Sequence, residues 1–134
     1  MDRVDLLHES TVDPVVSKKD IIAAREVVNQ IYVDDKAKDY IVDIVQATRH
    51  PETFGLDLKT LIEYGASPRA TMYLQQAARA LAFIQGEGNV FPNDVKQVAM
   101  DILRHRLIVT YEAEAENITS EDIIRKILDA VPVP

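Results

Sequence analysis

With 134 residues, 47% of them hydrophobic and 28% charged, the chain is long enough for one domain with a real core and ordinary in make-up for a globular fold. A net charge of −7 weighs against a general affinity for nucleic acid, which is gained from clustered Lys and Arg, and no apolar run approaches the length of a membrane span. The lack of cysteine excludes disulfides and thiolate zinc sites, and the start Met1-Asp2-Arg3 lacks the pattern of a secretory leader, so a cytoplasmic location is expected.

Residues 1–16 show no lasting periodicity and read as a lead-in segment before a domain spanning 17–134. Ser17 followed by Asp20 has the pattern of a capping box and opens a first helix, with Ile21, Ile22, Val27, Val28 and Ile31 as its apolar face. Asp34 or Asp35 caps a second helix, in which Ala37, Tyr40, Ile41, Ile44, Val45 and Thr48 recur at helical spacing. Arg49 and His50 suit the negative end of its dipole, and Pro51 stops it. From Glu52 to Ala66 the signal weakens to a short helix or an irregular packed loop around Phe54, Leu56, Leu58, Leu61 and Ile62, closed by Gly65.

Ser67-Pro68 is the clearest helix start in the chain: serine caps free amides, and proline at the first position has no N–H to leave unpaired. That helix runs through Met72, Ala77, Ala78, Leu81, Ala82 and Ile84 to a stop at Gly86 and Gly88. Pro92 and Asp94 open the next, whose face is Val95, Val98, Ala99, Ile102 and Leu103. The β-branched run from Leu107 to Tyr111 reads as a short strand, with Val90-Phe91 as its candidate partner. Glu112, Glu114 and Glu116 read as a solvated acidic loop, and Thr119 caps a last helix from Ser120 to Ala130. The expected fold is therefore mainly α, a bundle of about five helices with at most a short β element.

Few residues carry obvious chemistry. The phosphate-cradling pattern Gly-x-x-x-x-Gly-Lys-[Ser/Thr] is absent, so the chain is not expected to hold a triphosphate by itself or to be an enzyme on its own. His8, His50 and His105 lie far apart without metal-ligand spacing, and no metal site is expected. What stands out is Gly65-Ala66-Ser67-Pro68-Arg69-Ala70, which places Arg69 in a first helical turn, where the dipole disfavours a cation. A bound anion reverses that, since free amides and guanidinium would then both face negative charge. On this pattern alone, an anion-binding arginine and an ordinary surface arginine fit equally well.

Several ordered blocks resemble the MoxR family of AAA+ ATPases over nearly the whole chain. They are Tyr40-Ile41-Val42-Asp43-Ile44-Val45 with Ala47-Thr48-Arg49, the block from Gly65 to Ala70, the alanine-rich stretch from Ala77 to Ala82, Val90 with Pro92, Asp94 and Val95, and Leu103-Arg104-His105-Arg106-Leu107. The resemblance implies a C-terminal helical lid of the AAA+ type, with Arg69 as the sensor-2 arginine that reaches the γ-phosphate. Ser67 and Pro68 would then set its direction, and Val33 and Ile41 would be candidates for apolar contact with adenine, though plain core packing is the simpler role for both. It further implies ATP and Mg²⁺ in the full-length protein, with neither bound by the lid alone. Implied partners are an N-terminal P-loop domain of the same polypeptide, a homo-oligomeric ring of hexameric type, and a client protein remodelled in a chaperone-like way. Arg49, Arg104 and Arg106 match family positions near helix C-termini, where dipole complementation and carbonyl capping account for them. Glu87 stands where the family commonly has arginine, which puts any subunit contact there in doubt. The alternative from another class is a free-standing acidic helical module that binds a protein partner through a groove.

Overall fold

Four of the helices begin at a short polar side chain, Ser17, Asp34, Thr110 or Thr119, that takes up an amide the first turn leaves free. In the computed structural model, which describes residues 11–134, residues 11–16 carry no helix or strand. Helix α1 (Lys18–Gln30) starts at Ser17, whose Oγ accepts from the Asp20 N–H at 3.2 Å while the Asp20 carboxylate accepts from the Ser17 N–H at 2.8 Å. Helix α2 (Asp35–Arg49) starts at Asp34, whose carboxylate accepts from the Ala37 N–H at 2.6 Å.

Between Pro51 and Ala66 the weak signal resolves into two short pieces: a 3-10 turn at Pro51–Phe54 and strand β1 (Ile62–Tyr64). Helix α3 (Ala70–Ile84) follows, ending at Gly86, which takes a left-handed φ of 77°. That turn lets the Glu87 N–H return to the Ala82 carbonyl at 2.8 Å, closing the helix end as the sequence led one to expect. Helix α4 (Pro92–Leu103) has proline at its start, and the Asp94 carboxylate accepts from the Phe91 N–H at 2.7 Å. Strand β2 (Ile108–Val109), helix α5 (Tyr111–Ala115) and helix α6 (Ser120–Ala130) complete the chain.

Two expectations need correction. The strand after α4 pairs antiparallel with β1, Ile62 opposite Val109 and Tyr64 opposite Ile108, and not with Val90-Phe91. Val90 instead meets Tyr32, donating to its carbonyl at 2.9 Å, while the Tyr32 N–H donates to Gly88 at 3.1 Å. The acidic stretch Glu112–Glu116 is no loop through most of its length. Thr110 caps Ala113 at 3.2 Å and Ala113 is buried, so one apolar anchor and one cap wind it into α5.

The core gathers Tyr40, Ile41 and Ile44 from α2, Leu74 from α3, Val95 and Leu103 from α4, and Ile123, Ile124 and Ile127 from α6. Helices α3 and α4 share the broadest contact, and the buried Ala70, Ala78 and Ala82 of α3 with Ala99 of α4 let the backbones approach closely. Helix α1 differs: it lies against α3 yet has no fully buried residue of its own. Among the described residues no helix is long and apolar enough to cross a membrane.

Candidate functional site

The segment that leads to Arg69 is strapped to the end of α2. Thr48, fully buried, donates its hydroxyl to the Val45 carbonyl at 2.6 Å and accepts from the Ala66 N–H at 2.9 Å. Next to it, Arg49 Nη1 donates to the Ala66 carbonyl at 3.2 Å, so both main-chain polar groups of Ala66 are held from one helix end. Gly65 makes the approach feasible: a Cβ there would stand 2.3 Å from the Thr48 carbonyl oxygen. Arg49 thus has a specific acceptor outside its own helix, besides its place at the negative end of the α2 dipole.

From Ala66 the chain turns into α3 through a tight entry. Ser67 Oγ accepts from the Arg69 N–H at 3.1 Å, and the Ser67 carbonyl accepts from Ala70 at 2.8 Å. The Pro68 carbonyl accepts from the Thr71 N–H at 3.1 Å and from the Thr71 hydroxyl at 2.7 Å. Arg69 itself has helical angles, φ −60° and ψ −21°, at the boundary residue of α3. Ser67, Pro68 and Arg69 are all exposed, and among the described residues the Arg69 guanidinium has no carboxylate or carbonyl partner.

The amides of Arg69, Ala70 and Thr71 are already taken by the Ser67 side chain and by the carbonyls of Ser67 and Pro68. They are not free to face an anion, so any negative charge brought to this corner would be met by the guanidinium. Its backbone is fixed and its side chain is open, an arrangement suited to a phosphate or carboxylate arriving from outside.

Val33 and Ile41 sit elsewhere in the architecture, each only 2% exposed and part of the core cluster. Their surface is committed to packing, and the structure does not bring them to an open surface beside Arg69. Arg106 does stand near α3: its guanidinium lies 4.7 Å from the ring centre of Tyr73, one turn beyond Arg69, and its Nη1 donates to the Ile102 carbonyl at 2.6 Å. Arg104 ties α4 to α6, with Nη1 3.2 Å from the Glu121 carboxylate and its carbonyl accepting from Ser120 Oγ at 3.0 Å. Glu87, the departure from the usual arginine, keeps one carboxylate oxygen buried without a partner among the described residues. Sequence reasoning noted Thr48 and Gly65 without assigning them work; the one signal was that both lie in blocks of resemblance.

The chain is similar to known proteins over most of its length. The model of the AAA lid domain matches residues 56–127. Chaperone MoxR1 of Mycobacterium tuberculosis is 40% identical over 121 residues, covering 90% of this chain and 32% of that protein. Protein MoxR of Paracoccus denitrificans is 34% identical over 104 residues, 71% of this chain and 30% of that protein. The crystal structure of a provisionally assigned ATPase from Cytophaga hutchinsonii superposes with a TM-score of 0.88 at 42% identity, covering 92% of this chain and 38% of that one. The chain thus spans about a third of the length of the curated relatives it matches.

Proposed function

The chain belongs to the MoxR family of AAA+ ATPases, of which it is the lid domain, and from that premise we propose that it closes over an ATP held by a P-loop domain N-terminal to it in the same polypeptide. Arg69 is the sensor-2 residue in this reading. The observation that carries it is an exposed guanidinium without an internal partner, on a backbone locked by Thr48, Arg49, Gly65 and Ser67. Such a group costs little to reorganise when a γ-phosphate arrives, and its fixed stem converts the presence of that charge into a defined lid angle.

The residues present fit one edge of a polyphosphate and no more, since the neighbouring amides are engaged. Bound ATP with Mg²⁺ would supply the anhydride bond and its charge, while the remaining phosphate and metal contacts belong to the P-loop domain. Ser67 and Pro68 act by aiming Arg69. The half-exposed Ile21 and Ile22 on α1 support a further polypeptide packed on that side, as a parent domain would be. At the level of the whole machine we propose a cytoplasmic ring, hexameric in type, that couples hydrolysis to remodelling of a client protein.

Replacing Arg69 with Ala in the full-length protein should lower kcat for ATP hydrolysis by about 10²-fold, the scale of losing one aimed donor to developing charge. The variant's lid should keep its circular dichroism and melting temperature, because among the described residues the Arg69 guanidinium has no hydrogen-bond or ion-pair partner. Normal turnover together with normal nucleotide affinity in that variant would remove Arg69 from the sensor role.

A further inference from the structure

The outer surface of the β1–β2 pair is apolar where a two-stranded sheet at the edge of a domain would ordinarily be polar. Ile62 and Val109, one cross-strand pair, are half-buried against the core. The other pair is not: Tyr64 is 62% exposed and Ile108 52%, and Tyr111 beyond them is 88% exposed. A cleft of about 220 Å³ is lined by Glu63, Ile108, Val109, Tyr111 and Glu114. Glu112 and Glu116 extend the negative charge along α5.

None of these four glutamates has a Lys, Arg or His partner among the described residues. The charge determines the kind of occupant. Unneutralised carboxylates around aromatic side chains repel nucleic acid and anionic lipid. They favour cations, which donate charge-assisted hydrogen bonds to the carboxylates and can lie over the face of a tyrosine ring. The apolar floor at Ile108 and Val109 adds room for an apolar side chain.

We propose that the Tyr64–Ile108–Tyr111 surface docks a basic segment of another protein, one carrying Lys or Arg next to an apolar residue. The proposal does not rest on the nucleotide reading.

The test is titration of the ¹⁵N-labelled chain with the acetylated, amidated pentapeptide Lys-Ile-Arg-Phe-Lys, followed by amide chemical shifts. Shifts should be confined to residues 62–64 and 108–116, and the same peptide with Glu at its three basic positions should produce none. A triple variant, Tyr111→Ala with Glu112→Gln and Glu114→Gln, should weaken binding by about tenfold or more, on the scale of losing a cation–π and two charged contacts. A control of equal charge change on α1 and α6, Glu26→Gln with Asp129→Asn, should leave affinity within about twofold, as expected when the contact is local and not a net-charge effect. The amide spectrum of each variant reports whether it is folded. No binding, shifts spread over the acidic surface, or equal weakening in both variants would each overturn the proposal.

Discussion

Helices α1 and α6 open with nearly the same words. Ser17-Lys18-Lys19-Asp20-Ile21-Ile22 and Thr119-Ser120-Glu121-Asp122-Ile123-Ile124 both form complete capping boxes, and both place two isoleucines after the capping aspartate. Their fates differ completely: Ile123 and Ile124 are 0% exposed, while Ile21 is 46% exposed and Ile22 57%. The local code specifies where a helix starts and leaves open what its apolar face meets. Helix α6 is covered by α2 and α4, whereas α1 touches α3 and leaves its isoleucine pair outward. An identical start thus serves the core in one place and a surface in the other.

The comparison breaks most visibly under truncation of the isoleucines. Ile124→Ala should destabilise this chain by about 2–5 kcal/mol, through lost transfer energy and an unfilled cavity. Ile22→Ala, at the matching position of α1, should stay within about 0.5 kcal/mol. Urea denaturation of the two variants measures both, and a comparable loss in each would show that α1 is integral to the fold of the isolated chain.

A smaller effect is expected at the strap that joins α2 to Arg69. Gly65→Ala forces a Cβ against the Thr48 carbonyl and should cost about 1–3 kcal/mol as backbone shifts to relieve it. Hydrogen exchange at the Ala66 amide should accelerate in that variant, since the bond to Thr48 loosens first. An unchanged Ala66 amide would mean that the strap tolerates the methyl group and does not define the approach to Arg69.

The smallest effects belong to the caps themselves. Hydrogen bonds from the Ser17 main chain and hydroxyl hold the Asp20 carboxyl below its ordinary 3.8, and those of Thr119, with Arg125 nearby, do the same for Asp122. A depressed folded value means that each carboxylate contributes stability above pH 3.8, which fades as pH falls through the lower folded value. Carboxyl ¹³C titration should therefore give midpoints below the ordinary value at both positions. In Ser17→Ala and Thr119→Ala the midpoints should move back toward it. Because the isoleucine pair after the cap is buried in α6 and exposed in α1, acid should fray the start of α1 before that of α6, and simultaneous fraying would argue that this burial adds nothing to the cap.

Much of the site was legible in the chain because its determinants are local. The Ser67-Pro68-Arg69 entry, the stop at Gly86 and the two capping boxes each depend on groups within a few residues of one another. Where the reading failed, the missing partner was remote. Thr48 holds Ala66 and Arg49 holds the carbonyl beside it, contacts between the end of α2 and a loop that crosses it. β2 found β1 and not Val90 because Tyr32 had already taken the main-chain groups around Gly88 and Val90. The engagement of the Ala70 and Thr71 amides was equally hidden, since it follows from the tightness of the turn and not from residue type.

By itself the sequence determined the class of fold, the starts and stops of the five longer helices, and the block of residues that presents Arg69, since caps, proline and periodicity act over one turn of chain. Only the tertiary structure decided which isoleucine pair is buried, that Val33 and Ile41 serve the core, and that Glu63, Ile108 and Tyr111 line one cleft. The physical reason is the same in each case. Burial and juxtaposition are properties of the surface that remains after all elements have packed, and an amphipathic segment cannot encode whether its apolar side meets its own domain or another protein.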